Sequence, residues 1–351
     1  MARPWRRLVV GVSLVVVAVL AFVAAQIGLS WKQALDDVDA MIVPTVSLPE
    51  LPTEVPEVKV DHSQPEPTPA PTPIPAPDDP VNILLMGTDA RSGEDVSRTD
   101  AMIVVHIDPR TDRVSMLSLP RDLWVSIPGY GKSRINSAYP IGETQFGKYY
   151  GPALAKQTVS KLLGIPIHHF VLVNFDGFKT LIDRLGGITV DVPKEIDDPR
   201  YPTEDYRTIN VHFDTGPQQM DGERALIYAR TRHADSDFGR NQRQQQVLMA
   251  IFDRVRERGL LSQITSLDDY TDALRDSIRT DMTKNDMLAL TSVGPRLSAE
   301  RIARFSIEPE MIVALREPAT FAADPKALKK LVQEMIGAPV ASAGGEDPVR
   351  K

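Results

Sequence analysis

The 351-residue sequence predicts an α/β fold with a mixed central β-sheet and helices on both of its faces (an α/β/α sandwich), preceded by a single N-terminal transmembrane helix. Three observations carry this. Val81–Met86, Ala101–Ile107 and Val114–Leu119 are short runs of Val, Ile, Leu and Met bounded by Gly, Pro and Asp, the signature of strands buried in a sheet. Helical stretches alternate with further strand-like runs downstream, which places helices over both faces. An uninterrupted apolar run from Leu8 to about Ile27 follows Arg3, Arg6 and Arg7.

That run has about the 20 residues a helix needs to span a bilayer, and its basic flank sets the N-terminus in the cytoplasm. A cleaved signal peptide has a shorter apolar region, usually about 7 to 15 residues, and a small-residue cleavage site; the run fits an uncleaved anchor better. The chain then divides into a cytoplasmic tip (1–7), an anchor (8–29), an extracytoplasmic stalk (30–80), a folded domain (81–338) and a disordered tail (339–351). The stalk ends in PEPTPAPTPIPAPDDP (Pro65–Pro80), a composition that favours extended polyproline II and cannot bury a core.

Within the domain, a helix is expected from about Gly151 to Leu163, stopped by Gly164 and Pro166. His169–Phe175 reads as a strand, Phe178–Leu185 as a helix closed by Gly186 and Gly187, and Ile188–Val192 as a strand. Asp221 caps a short helix, Asn241–Arg258 is a long amphipathic helix, and ARFSIEP (Ala303–Pro309) is strand-like.

Composition excludes several functions. The net charge of −7 and a pI of about 5.5 lack the basic footprint of a nucleic-acid binder. With no cysteine there are no disulfides and no thiolate metal sites. No HExxH, GxSxG or P-loop pattern is present.

What remains is a recurrent placement of aspartate and arginine at the ends of strand-like runs. Guanidinium forks match phosphate oxygens bidentately, so several converging arginines imply a multiply anionic ligand. Paired carboxylates such as Asp89 and Asp100 suit magnesium, which takes a few protein oxygens plus water and substrate phosphate. In Arg98-Thr99-Asp100 and Arg230-Thr231-Arg232 the charges are two apart, so an extended backbone would project each pair to one side. Arg240 and Gln244, four apart, share a helix face, whereas Arg243 reads as an outer-face residue. Together these groups describe a phosphoryl-transfer site. His168 and His169 flank a buried strand and His233 lies beside the arginines, so imidazole catalysis is the weaker reading. Asn136 and Tyr139 read as a packed loop, with Arg134 a secondary cation. The apolar helix faces at Val247–Phe252 and Ala153–Gly164 read as ordinary core.

The runs NILLMGTDAR (Asn82–Arg91), RTDAMIV, SLPRDLWVSIPG with RINSAY (Arg134–Tyr139), GGITVDV, DGERALIYARTR and DFGRNQRQQQVL resemble the LytR-CpsA-Psr family in order, spacing and residue detail, over about Val81–Met335. The resemblance implies a membrane-anchored extracytoplasmic phosphotransferase, with magnesium as cofactor, that moves a glycopolymer from a polyprenyl-pyrophosphate carrier onto a peptidoglycan hydroxyl through a phosphodiester link. By motif, Asp89 and Asp100 would meet the metal, and Arg98, Arg121, Arg230, Arg232, Arg240 and Gln244 would hold the pyrophosphate. Arg98, Arg121 and Asp237 would be catalytic, with Asp237 either orienting an arginine or accepting the acceptor's proton. A pyrophosphatase using water as acceptor is one alternative; a non-catalytic wall-binding or regulatory protein is another. A regulator acting on DNA would need a basic cytoplasmic domain, and the expected tip has only seven residues.

Overall fold

The computed structural model describes residues 38–48, 79–89, 97–203, 207–232, 236–257, 274–291, 302–315 and 321–337. The expected anchor and tail lie outside the described residues, as does most of the stalk. Among the described residues no helix is long and apolar enough to cross a membrane.

Six strands form the central sheet: β1 (Val81–Thr88), β2 (Thr99–Asp108), β3 (Arg113–Ser118), β6 (His169–Asn174), β11 (Ile278–Thr280) and β12 (Ile302–Ser306), in the order β11-β6-β1-β2-β3-β12. β1 pairs in parallel with β6, and β3 with β12, while β2 is antiparallel to both β1 and β3. The C-terminal ends of β1, β3 and β6 therefore meet the N-terminal end of β2 at one edge, where ligands bind in open α/β sheets. The remaining strands are paired hairpins or ribbons: β4 (Trp124–Ile127) with β5 (Gly131–Arg134), β7 (Ile188–Val192) with β10 (Gly216–Met220), β8 (Ile196–Pro202) with β9 (Thr208–Phe213), and β13 (Ile312–Ala314) with β14 (Phe321–Ala323).

Side chains alternate across the sheet, and both sides are apolar. Ile83, Ile103, Val105, Ile107, Val114 and Met116 join one core, whereas Leu84, Met86, Met102, Val104 and Leu117 join the other. This is why the strands read as continuous hydrophobic runs. The helices are α1 (Ala138–Gln145), α2 (Tyr150–Leu163), α3 (Phe175–Arg184), α4 (Gly222–Arg230), α5 (Asp237–Glu257), α6 (Lys284–Thr291) and α7 (Pro325–Gly337). Helices α3 to α6 cover the first face; α1, α2 and α7 cover the second. The apolar stretches Val247–Phe252 and Ala153–Gly164 belong to these two cores, as their periodicity suggested.

Three local signals fix the helices that carry site residues. Asn174 Oδ1 accepts from Gly177 N at 2.8 Å, so α3 starts at Phe175, three residues before the expected start. Asp221 caps α4 as expected, accepting from Arg224 N at 2.8 Å. Gly222 lets α4 press against α3, because a Cβ there would stand 2.6 Å from Lys179 Cα. α5 begins at Asp237 rather than Asn241, which makes Asp237 and Arg240 neighbours one turn apart on a single helix. The stretch read as a stalk also contributes to the fold: Val38 and Met41 are buried in the first core, and Val43 N donates to Thr280 O at 2.8 Å.

Candidate active site at the sheet edge

Arg121 leaves the end of β3 and meets three carboxylates. Its Nη1 donates to Asp100 Oδ1 at 2.5 Å; its Nε lies 3.5 Å from Asp122 Oδ2 and 3.8 Å from Asp237 Oδ2. Asp237 also faces Arg240, with Oδ1 3.3 Å from Nη1, and Asp122 faces Arg134, with Oδ1 3.5 Å from Nε. Two carboxylates thus each bridge two guanidinium groups. The backbone is pinned beneath them: Asn136 N donates to Arg121 O at 3.2 Å and Ile135 N to Leu123 O at 2.8 Å. Asn136 and Tyr139 are buried, as expected of packed residues, but in a 3-10 turn and in α1 rather than in a loop.

Arg240 is the outlier. It is 3% exposed, one Nη meets Asp237, and Nε and Nη2 have no hydrogen-bond partner among the described residues. Burial pulls its pKa below the ordinary value; Arg121 and Arg232 work in the same direction, and Asp237 and Asp100 oppose them. For Arg121 burial also works against the charge, but Asp100, Asp237 and Asp122 outweigh it and hold the pKa above the ordinary value. An unpaired buried donor on a charged group costs several kcal/mol, on the order of 1–3 for a neutral group and more for a charged one. An incoming anion with two free oxygens relieves that cost.

The other expected arginines divide. Arg232 contributes to the positive field at Arg240, and its backbone N–H donates to Asp198 Oδ2 at 3.3 Å. Arg230 departs from expectation: the Arg230-Thr231-Arg232 segment is not extended, because Arg230 is the last residue of α4. The tertiary packing of α4 on α3 overrides the period-two reading. The Arg230 guanidinium instead lies 4.4 Å from the centre of the Phe175 ring and 3.2 Å from the Tyr201 hydroxyl. Since Asn174 is paired with Thr88, Phe175 leaves β6 at the level of Asp89 on β1, so Arg230 is still held at the same edge.

Arg98 and Asp89 flank the β1–β2 connection and are exposed, while Thr99 between Arg98 and Asp100 is buried. This segment is extended, as the spacing required. Gln244 is not joined to the cluster; its amide is turned to Ala229 O at 3.5 Å. Arg243 is a correction. It is 4% exposed rather than outward-facing, and it clamps the end of α4, donating from Nε to Tyr228 O at 3.1 Å and from Nη2 to Thr231 O. Three residues escaped the sequence reading. Asp198, fully buried, accepts from Thr231 Oγ1 at 2.5 Å and so fixes the exit from α4; Phe175 and Tyr201 sandwich Arg230. None of the three has a local pattern that announces it.

Asp89 and Asp100 are hard oxygen donors at neighbouring strand ends, a set that fits magnesium completed by water and phosphate. Among the described residues no group of three or more His, Cys, Asp or Glu side chains could hold a metal by itself. Asp100 is engaged by Arg121, so a cation there would have to share that carboxylate.

His106, His168 and His169 sit at the opposite end of the sheet. His168 Nδ1 accepts from Asn82 N at 2.9 Å, His106 Nδ1 lies 2.8 Å from Asn82 Oδ1, and His169 Nδ1 lies 3.6 Å from Asp281. His233 lies outside the described residues.

Fold and site together define a class: an α/β domain with a buried arginine, under-partnered among the described residues, and a carboxylate–guanidinium network at the strand ends. The family model of the LytR_cpsA_psr family matches residues 51–337, and the chain belongs to that family. It is 39% identical over 214 residues to the polyisoprenyl-teichoic acid–peptidoglycan teichoic acid transferase TagU of Oceanobacillus iheyensis, a match covering 60% of this chain and 62% of that protein. It is 37% identical over 235 residues to TagV of Bacillus subtilis, covering 65% of this chain and 56% of that protein. The chain thus spans somewhat less than two thirds of the length of these relatives. Among solved structures, B. subtilis TagV superposes with a TM-score of 0.58 at 32% identity, covering 74% of this chain and 98% of that one. TagT bound to LIIa-WTA does so with a TM-score of 0.54 at 25% identity, covering 74% and 92%.

Proposed function

We propose that the protein is a phosphotransferase that moves a glycopolymer from a polyprenyl-pyrophosphate carrier to a hydroxyl of peptidoglycan. The observation that carries this is Arg240, a buried guanidinium whose Nε and Nη2 have no partner among the described residues, beside the Arg121–Asp100–Asp237 network. The names of the relatives, as transferases of polyisoprenyl-linked teichoic acid to peptidoglycan, support the same reading.

In this reading Arg121, Arg240, Arg232 and Arg230 grip the pyrophosphate, and Arg98 closes the exposed side. The acceptor oxygen forms a bond to the sugar-side phosphorus while the P–O–P bond breaks; the hydroxyl proton passes to the departing phosphate oxygen or to water, leaving polyprenyl phosphate. Preorganised donors aimed at the charge that develops in that step supply most of the acceleration. Asp237 acts as a positioning residue, because each of its oxygens faces a different guanidinium. Asp89 and Asp100 would hold magnesium, which supplies further neutralisation of phosphate oxygens. The apolar run at 8–29 would anchor the domain at the outer face of the membrane, where the carrier resides.

The test is to incubate the full chain in detergent with a polyprenyl-pyrophosphate-linked oligosaccharide, magnesium and peptidoglycan oligomers, and to analyse the products by mass spectrometry. A phosphodiester-linked conjugate plus polyprenyl phosphate is expected. Free sugar phosphate without conjugate would make the protein a hydrolase, and unconsumed donor would make it a binding protein.

A further inference from the structure

The β4–β5 hairpin begins three residues beyond Arg121, and its outward face has a composition the pyrophosphate site does not use. In an antiparallel pair, directly opposed residues point to the same side. Trp124 opposes Arg134 and Ser126 opposes Lys132, while Val125 opposes Ser133 and Ile127 opposes Gly131. Val125 and Ile127 are buried in the second core, so the other set, Trp124, Ser126, Lys132 and Arg134, stands on the face turned away from it. Ser126 and Lys132 are exposed and Trp124 is half-buried; the Arg134 side chain is 36% exposed. The three-residue connection Pro128–Tyr130 adds Tyr130, one of the few large exposed hydrophobics.

This face is continuous with the anion site. Asp122 lies 3.5 Å from both Arg121 and Arg134, and Lys132 follows Arg134 at two residues' rise, about 7 Å further out. The cations therefore run outward as Arg121, Arg134, Lys132, and between Leu123 and Arg134 the sequence contains no carboxylate. Trp124 lies alongside, and an indole offers a flat apolar surface to the C–H face of a sugar ring. Alternating positive charge and aromatic surface matches a chain that alternates anionic groups and sugars.

We propose that the outward face of the β4–β5 hairpin is a subsite for the anionic glycan chain of the donor, with Lys132 and Arg134 meeting its charged groups and Trp124 stacking on a sugar. The proposal rests on the reading of the Arg121–Arg240 network as the pyrophosphate site, because that reading sets the donor's head group beside the hairpin, whose charged and exposed face suits the glycan end rather than the apolar carrier. Lys132 is a specificity determinant here and has no part in the bond-breaking step.

The test uses the full chain in detergent and four soluble probes: inorganic pyrophosphate, a carrier-free oligomer of sugars joined by phosphodiesters, a neutral oligosaccharide of the same length, and a muropeptide. Binding is read by calorimetry or by ligand-observed NMR. The phosphodiester oligomer should bind more tightly than the neutral one. Lys132→Ala should weaken the phosphodiester oligomer about fivefold, Lys132→Glu should weaken it further, and raising the salt concentration should shrink the difference. Each variant should lose several times more affinity for the oligomer than for pyrophosphate. Trp124→Leu should weaken both oligomers, since it removes stacking rather than charge. Oligomer binding that is indifferent to Lys132→Glu overturns the proposal, as does an equal loss on oligomer and pyrophosphate, or a muropeptide that binds more tightly than the phosphodiester oligomer. A wild-type chain that ignores inorganic pyrophosphate defeats the pyrophosphate reading instead, and the oligomer measurements still decide the hairpin's role.

Discussion

The two ends of the central sheet both bury charge, and they settle it differently. At the N-terminal end of β6, Lys156 Nζ contacts Asp281 Oδ2 at 2.5 Å and also donates to His168 O at 2.7 Å. Asp281 Oδ1 accepts from Phe170 N at 2.8 Å, and Asn82 ties His168 and His106 together. This network pairs its two buried charges, Lys156 with Asp281, and staples α2, β1, β6 and the end of β11; His169 Nδ1, 3.6 Å from Asp281, is left without a hydrogen-bond partner among the described residues. At the other end Arg121 faces three carboxylates, while Arg240, more deeply buried, keeps Nε and Nη2 without a hydrogen-bond partner among the described residues. A closed buried ion network is a structural device; an open one stores a cost that a ligand can relieve.

Substitutions should separate the two ends, beginning with the open one. Arg240→Gln is expected to lower kcat/KM for glycopolymer transfer by about 100-fold or more, the scale of losing a preorganised donor to a developing anion, with thermal stability equal to or above that of the wild type. Steady-state kinetics beside a melting curve check both halves. Asp281→Ala is expected to do the opposite, costing about 3 kcal/mol of stability because it strands the Lys156 charge, while kcat/KM at a temperature where the variant is folded stays within about twofold of wild type. Urea titration with parallel kinetics reads this. Arg121→Lys keeps the charge but loses the planar fork, and should cost about 2 kcal/mol of transition-state stabilisation, roughly thirtyfold in rate.

The closed end also responds to pH. Burial first, then the charges of His169, Lys156 and His106, lower the His168 pKa to about 4 from its ordinary 6.5, against a small opposing effect of Asp79; His106 is lowered chiefly by burial. Between those two values the unfolded chain takes up a proton that folded His168 refuses, so stability falls as the pH falls through this window. The urea midpoint should drop from pH 7 to pH 4.5, and His168→Gln should flatten that slope. Smallest of all, Arg110→Ala removes a solvent-exposed contact to Asp79 and Asp108 and should shift stability by no more than about 0.5 kcal/mol.

Much of this arrangement was legible in the sequence, and the reasons are local. β1, β2 and β3 announced themselves because both faces of the sheet are covered, so their central positions are mostly apolar. Asp221 marked α4 because capping is a short-range event. That Arg121 and Asp100 lie at one site was legible from their places at strand ends, but their direct ion pair was not, because Asp100 was read as a metal ligand. What failed depended on distance in sequence. The β4–β5 and β8–β9 hairpins are largely polar outside their buried positions and lack a strong alternating signal. Arg243 looked like a surface residue because nothing in a helical repeat reveals that Tyr228 and Thr231 carbonyls wait opposite it. Arg230 was read as extended because the α3–α4 contact through Gly222, which carries α4 to its last residue, is invisible until the two helices are brought together. The sandwich of Arg230 between Phe175 and Tyr201 joins residues from three separate elements.

The central claim is that Arg240 is buried in order to hold a pyrophosphate. Calorimetric titration of inorganic pyrophosphate with magnesium into wild-type protein and Arg240→Gln measures this directly. The expected result is saturable binding to the wild type and at least a tenfold weaker affinity in the variant, the worth of about 1.4 kcal/mol, with Asp281→Asn indistinguishable from wild type. Equal pyrophosphate affinity in wild type and Arg240→Gln would contradict the account.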